Sequence, residues 1–75
     1  MIVTITTKEM PLTATQERCM SRMFHSTPQM EESEHGIYRY KLKVSSKMNW
    51  KRDRLIQFIC EEIGPIGIPI TSATI

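Results

Sequence analysis

Residues 37–44, Ile-Tyr-Arg-Tyr-Lys-Leu-Lys-Val, constrain the fold more than any other stretch of the sequence. The apolar side chains fall on the even positions Tyr38, Tyr40, Leu42 and Val44. The odd positions between them carry Arg39, Lys41 and Lys43. Strict alternation with a period of two predicts a strand with one buried face and one cationic face in contact with water. The fold must therefore contain a sheet that is covered on one side only.

A first amphipathic helix is predicted to follow a short strand near the start of the sequence. Residues 2–8 are rich in β-branched side chains, which favour a strand. Thr13 and Gln16 then have the spacing of a capping box, the signature of a helix start. The apolar stripe of this helix consists of Cys19, Met20, Met23 and Phe24. The helix should end before Pro28, because the residue that precedes a proline disfavours helical geometry.

A second helix is predicted from about Trp50 to Ile63. Asn49 is a favourable N-cap residue for it. Its stripe consists of Arg52, Leu55, Ile56, Ile59 and Ile63, widened by Phe58 and Cys60. Gly64 followed by Pro65 is a stop signal, since a glycine often ends a helix and a proline cannot continue it. This helix is expected to pack against the same sheet as the first.

The two remaining segments complete the predicted fold. Residues 29–36 hold three glutamates and a glycine with almost nothing to bury, so we expect an exposed acidic loop. Residues 66–75 alternate weakly, and Pro69 confines them to a sheet edge or an irregular extension. The predicted fold is α+β, in the order β-α-β-α-β, with two helices on one face of a three-stranded sheet. The order of the strands in the sheet stays open.

The length and the cysteines bear on stability and location. Seventy-five residues allow one domain, residues 1–75, whose stability margin is thin. Cys19 and Cys60 lack the spacing of a disulfide framework, which favours free thiols in a reducing compartment. Residues 1–7 lack the basic lead of a signal peptide, and no apolar run approaches the roughly 20 residues of a membrane span. We therefore expect a soluble, cytoplasmic protein that contacts no membrane.

The formal net charge of +2 conceals an uneven distribution along the chain. Residues 39–54 carry seven basic side chains against one acidic residue, Asp53, whereas the rest of the chain carries three basic and seven acidic ones. We call these seven residues the basic block: Arg39, Lys41, Lys43, Lys47, Lys51, Arg52 and Arg54. Together with Trp50, a candidate exposed aromatic anchor, they form the candidate partner-binding site. Lys51 and Arg52 at a helix start would also suit an anion.

Several functions are compatible with this charge pattern. The leading hypothesis is a small non-enzymatic interaction protein, a regulator, inhibitor or assembly factor, that docks on a protein partner or forms a homodimer through residues 68–75. Accessory proteins of phages and other mobile elements are often of this size, an analogy from size alone. The alternative is nucleic-acid binding by the basic block, with Trp50 stacking on bases.

An enzyme or a metal-binding protein is the third hypothesis for the function. Its ligands or catalytic groups would have to come from Cys19, His25, His35 and Cys60. These residues show no Cys-x-x-Cys or His-x-x-x-His spacing, and both cysteines fit helical stripes. We therefore expect no catalytic residues, no metal, no cofactor and no small-molecule substrate.

Overall fold

The structure is a computed structural model that covers residues 1–75, and it contains four strands and two α-helices. In chain order the elements are β1 Ile2–Lys8, α1 Ala14–Phe24, β2 Gln29–Glu34, β3 Ile37–Lys43, α2 Arg52–Phe58 and β4 Ile70–Thr74. The strands form one antiparallel sheet in the order β2-β3-β1-β4. No helix in the structure is long and apolar enough to cross a lipid bilayer.

The α+β class is confirmed, but the predicted three-stranded β-α-β-α-β arrangement is wrong in detail. The sheet has four strands and the element order is β-α-β-β-α-β. β3 lies between β1 and β2, and β1 lies between β3 and β4, so each β-α-β unit spans an intervening strand. This element order is that of the ferredoxin-like, or split β-α-β, arrangement.

The strand that the sequence did not reveal is β2, in the segment predicted to be an acidic loop. All six residues of β2 are exposed, so it has no alternation of buried and exposed positions to recognise. β2 forms a hairpin with β3 through His35 and Gly36, whose φ angles of 53° and 76° are both positive. Two consecutive positive φ angles are typical of the type I′ turn that joins two antiparallel strands.

The start of α1 agrees with the prediction. The Gln16 amide donates to Thr13 Oγ1 at 3.1 Å, and Gln16 Oε1 accepts from the Thr13 amide at 2.9 Å, which completes the capping box. The helix ends at Phe24, and His25 takes the left-handed conformation that often closes a helix. Met20 and Phe24 are buried as expected, whereas Met23 is largely exposed.

The second helix starts later and ends differently than predicted. Asn49 is not its N-cap: with a φ of 54° it closes a short 3₁₀ turn, and α2 begins after Lys51. Gly64 is not a left-handed cap either, because its φ of −52° is helical. Its amide donates to Ile59 O, so α2 continues as a π turn over Ile59–Ile63 and then a 3₁₀ turn, Gly64–Ile66. Pro65 has no N–H to extend the wide turn.

A single apolar core lies between the sheet and the helical layer. Val3 and Ile5 of β1 and Tyr40 and Leu42 of β3 are buried, whereas their neighbours along each strand are more exposed. The helical residues of the same core are Met20, Phe24, Leu55, Ile59 and Ile63. Both helices therefore cover the same face of the sheet, and the other face is open.

Gln16 is a fully buried polar side chain that joins three segments of the chain. Its Nε2 lies 2.7 Å from Ile68 O, 3.2 Å from Gly64 O and 3.3 Å from Ile63 O, and donates to this group of carbonyls. A Cβ on Gly67 would lie 2.6 Å from Gln16 Cδ, so only glycine fits this position beside the Gln16 side chain. We call the side chains of Thr13 and Gln16, together with residues 63–68, the Gln16 cluster.

Candidate partner-binding surface

The open face of the sheet is less cationic than the sequence predicted, because β2 lies beside β3. In the register of these strands Glu32 is opposite Arg39, and the two side chains form an ion pair. Glu34 lies opposite Ile37 in the same hairpin. The acidic residues that were expected in a separate loop thus border the cationic row and neutralise its first member.

The other two strand cations have different environments. Lys41 is half-buried, and its Nζ donates to Thr4 Oγ1 of the neighbouring β1 at 2.8 Å. Lys43 is exposed at the end of β3 and forms no hydrogen bond or ion pair through its side chain. Of the three cations on β3, therefore, only Lys43 has a side chain without a hydrogen bond or ion pair within the molecule.

Lys43 opens onto a groove of about 810 Å³ at the end of the molecule where β3 finishes. Phe24, Val44 and Met48 are among its apolar lining residues. Its polar and cationic lining residues are His25, Ser26, Lys43, Ser45, Ser46 and Lys47. No carboxylate lines the groove, so the electrostatic potential there favours an anionic group.

Local hydrogen bonds hold the chain in this shape after β3. The Val44 amide donates to Met1 O at 2.8 Å, which fastens the strand end to the start of β1. Ser45 Oγ accepts from the Lys47 amide at 3.2 Å and caps the short 3₁₀ turn Ser46–Met48. Asn49 then takes its left-handed conformation, which redirects the chain towards Trp50.

Trp50 belongs to an aromatic cluster instead of projecting freely into solvent. Its ring centroid lies 5.5 Å from that of Phe24 and 5.3 Å from that of Phe58, with inclined ring planes. Phe24 and Phe58 are themselves packed edge to face at 6.1 Å. The prediction of an exposed aromatic is thus wrong: Trp50 is half-buried and anchors this part of the chain to both helices.

Lys51 and Arg54 line a second hollow, of about 480 Å³, together with Asn49 and Trp50. Trp50 and Arg54 also line a third, of about 290 Å³, together with Glu61 and Glu62. Arg52 turns away from this hollow, because its Nη2 donates to Ile75 O at 3.3 Å. Asp53 occupies the first turn of α2, as helix electrostatics favour.

The structure therefore divides the basic block. Arg39, Lys41 and Arg52 are bonded to other parts of the chain. Four exposed cations remain without an ion pair and lie in the continuous stretch from the end of β3 to the first turns of α2. We call this group the cationic end: Lys43, Lys47, Lys51 and Arg54. The ion pair Arg39–Glu32 and the contact of His35 Nε2 with Glu34 at 3.2 Å lie elsewhere.

The cysteines and histidines considered as catalytic or metal-binding groups are scattered through the fold. Nowhere does the structure bring three potential ligands of the types His, Cys, Asp and Glu together. Burial, with a smaller contribution from the charge of Glu61, raises the pKa of the Cys60 thiol. A raised pKa keeps this thiol protonated at neutral pH, which suits packing better than nucleophilic attack.

Comparisons with known proteins found no relative: no family model, no curated protein and no solved structure matches this chain. The split β-α-β arrangement hosts many unrelated functions, so the fold alone does not define an activity. Function must therefore be inferred from the surfaces of this molecule, and the cationic end is the surface with the most distinct chemistry.

Proposed function

We propose that this protein is a small non-enzymatic interaction protein, a regulator, inhibitor or assembly factor, that docks its cationic end on an acidic surface of a protein partner. The observation that carries the proposal is a set of four exposed, unpaired cations in one stretch of the chain, two of which, Lys43 and Lys47, line a groove that no carboxylate lines. Charges of one sign that have no partner within their own molecule steer and orient an oppositely charged partner.

The aromatic cluster supports a protein partner at this surface. Half-buried Trp50 offers one accessible portion of a ring that is otherwise fixed by Phe24 and Phe58. A fixed aromatic group flanked by cations is a favourable centre for a protein interface, because it loses little conformational entropy on binding. The half-buried side chain of Met48 adds an apolar contact area in the adjoining groove.

The distribution of acidic groups favours a protein partner over an extended nucleic acid. A phosphate backbone that followed the cationic row of β3 would pass Glu32 and Glu34 of the neighbouring strand. Trp50 is also less suited to stacking on bases, since its neighbouring rings limit access to its faces. An acidic protein surface of limited extent can contact the cationic end without approaching β2.

The chemistry of the partly buried Cys60 thiol supports a non-enzymatic role. A nucleophilic cysteine requires a lowered pKa and a cationic environment, whereas the pKa of Cys60 is raised by burial and by neighbouring Glu61. The same residue packs against the apolar core, which gives it a structural function.

The proposal can be tested by fluorescence titration with two probes, a labelled 20-residue polyglutamate peptide and a labelled mixed-sequence oligonucleotide of equal charge. The test variant is Lys43→Glu/Lys47→Glu. The matched control is Lys8→Glu/Arg22→Glu, which changes the net charge equally at exposed positions outside the cationic end. We expect the peptide affinity to fall about tenfold or more in the test variant and about twofold in the control.

Three outcomes would contradict the proposal. Absence of peptide binding at low salt would show that the cationic end does not attract acidic protein surfaces. Equal losses in both variants would show that net charge alone matters. Tighter binding of the oligonucleotide, lost in the test variant and falling steeply with salt, would assign the cationic end to nucleic acid instead.

A further inference from the structure

The two edges of the sheet differ in their protection against pairing with another strand. One edge is β2, which carries Glu31, Glu32 and Glu34. The other edge is β4, and no charged residue occurs anywhere in residues 64–75. Natural sheets commonly place charges on an edge to prevent association, because an edge presents unpaired backbone donors and acceptors. Only the β2 edge of this molecule is protected in that way.

The uncharged edge also exposes apolar side chains. Ile66 is 45% exposed and Ile75 is 36% exposed, and both lie in the segment that contains β4. Ile68 and Ile70 are half-buried between them. We call residues 64–75 the neutral edge.

The regular part of the neutral edge is short and well defined. β4 pairs with β1 on its inner side, with Thr74 opposite Thr4 and Ser72 opposite Thr6. A bulge at Thr71 and the preceding Pro69 interrupt the strand at its beginning. The outer side of residues 72–74 is therefore the part that can accept another strand, since the Ile75 carbonyl already accepts from Arg52.

We propose that the neutral edge binds the same edge of a second copy of this chain, with the two β4 strands antiparallel about a two-fold axis. Such pairing would join two four-stranded sheets into a continuous sheet. It goes beyond the proposed function, since it uses a surface that contains none of the four cations of the cationic end.

Electrostatics selects this arrangement over the other ways to pair edges. Two β2 edges would bring six glutamates together and repel each other. Pairing of a β4 edge with a β2 edge would leave one free edge of each kind, so further copies could bind at both ends and form an open-ended polymer. Pairing of two neutral edges brings together no charged side chain of residues 64–75 and closes after two copies.

The test is the molar mass of the purified chain, measured by sedimentation equilibrium over a range of concentrations at moderate salt. The variant Ser72→Lys/Thr74→Lys places cations at exposed positions of β4, where they would repel across the two-fold axis. The control variant Gln29→Lys/Ser33→Lys adds the same charge to exposed positions of β2. We expect a dimer in the unmodified chain and the control, and a dissociation constant raised at least about tenfold in the β4 variant.

Hydrogen exchange provides a second measurement that needs no variant. In the unmodified chain, the amides of residues 72–74 that face outwards should become more protected as protein concentration rises, while those of β2 should not change. The proposal is overturned if the chain is a monomer at all concentrations, if the β4 lysines leave the dimer intact, or if the control dissociates equally. Titration of the β4 variant with the polyglutamate peptide separates the two proposals, because the cationic end is unchanged in that variant.

Discussion

The Gln16 cluster and the cationic end lie at opposite ends of α1 and differ in whether their polar side chains are bonded within the molecule. In the Gln16 cluster a fully buried amide donates to a group of backbone carbonyls and accepts from the Thr13 amide. At the cationic end, four charged side chains are exposed and none of them forms an ion pair. One region has its buried side-chain polar groups bonded within the molecule, and the other has charged side chains without an ion pair.

This difference separates residues that stabilise the fold from residues available to a partner. Removing a buried, fully bonded group leaves its former partners unsatisfied, so its effect on the free energy of unfolding is large. Exposed charges contribute little to that free energy because water screens them. The comparison predicts that substitutions in the two regions will have well-separated effects on stability and on binding.

The largest loss of stability is expected for Gln16→Leu. The change removes the half of the capping box that the Gln16 side chain forms, and it leaves the carbonyls of Ile63, Gly64 and Ile68 without the side-chain amide donor. We expect the free energy of unfolding, measured by urea denaturation, to fall by about 3 kcal/mol. Gln57→Leu is the matched control, because Gln57 is exposed and bonds only Glu61, so its effect should be within about 0.5 kcal/mol. Similar values for the two variants would contradict the role assigned to the Gln16 cluster.

A smaller loss is expected when a methyl group is added beside the same amide. In Gly67→Ala the new Cβ would lie 2.6 Å from Gln16 Cδ and 2.7 Å from Thr13 Oγ1, so the capping box must shift. We expect a cost of about 2 kcal/mol, as for other overpacked sites. In Gly64→Ala the new Cβ would lie 3.5 Å from the Ile70 amide nitrogen, an ordinary contact, and the backbone there is helical. That variant should be neutral or stabilised by up to about 1 kcal/mol, and a large loss would contradict the model of local packing.

The next effect concerns the buried hydroxyl of Tyr40, which accepts from the Leu12 amide at 3.0 Å, beside the start of α1. Burial is the main cause that raises the pKa of Tyr40 above its ordinary value, although the Leu12 hydrogen bond opposes the shift. The folded state thus holds the phenolic proton more tightly than the unfolded state. The contribution of this proton to the free energy of unfolding is complete below a pH of about 10, and it is lost as the pH rises through the pKa of Tyr40 in the folded state.

Alkaline denaturation of Tyr40→Phe tests this assignment. At neutral pH the variant should lose about 1 kcal/mol, since the Leu12 amide becomes unsatisfied. Above a pH of about 10 its stability should fall less steeply than that of the unmodified chain, because the tightly bound proton is absent. Parallel curves for the two proteins would show that Tyr40 does not control the alkaline transition. Tyr38→Phe is the control, as Tyr38 is only partly buried.

Residues with a local signal were predictable from the sequence, and those defined by long-range contacts were not. The capping box of α1 depends on side chains three residues apart, and β3 on strict alternation, so both were recognised. β2 has no buried position, and its pairing with β3 is the property that defines it. The hydrogen bonds from Gln16 to residues 63–68 cross nearly fifty positions, and nothing near Gln16 in the sequence indicates them.

The candidate site shows the same division. The concentration of cations in residues 39–54 was evident from the sequence, but its separation into bonded and free members was not. Arg39 is neutralised by a strand that was predicted to be a loop, and Arg52 contacts Ile75, more than twenty positions away. The dipeptide His35-Gly36 was the one local sequence feature that could have indicated the β2–β3 hairpin, since a glycine readily takes the positive φ that a type I′ turn requires.

The smallest effect on stability is expected at the cationic end. In Lys43→Glu/Lys47→Glu both side chains are exposed and neither is part of an ion pair, so no favourable contact is lost. The free energy of unfolding should change by less than about 0.5 kcal/mol, and salt should reduce even that difference. Urea denaturation at low and moderate salt checks the value. A loss of about 2 kcal/mol or more, as expected for Gly67→Ala, would mean that these lysines stabilise the loop after β3. A loss of peptide binding in the same variant could then no longer be attributed to a contact with the partner. If stability is unchanged while binding is lost, the free charges serve association and the bonded groups serve the fold, because the same substitution then separates the two properties.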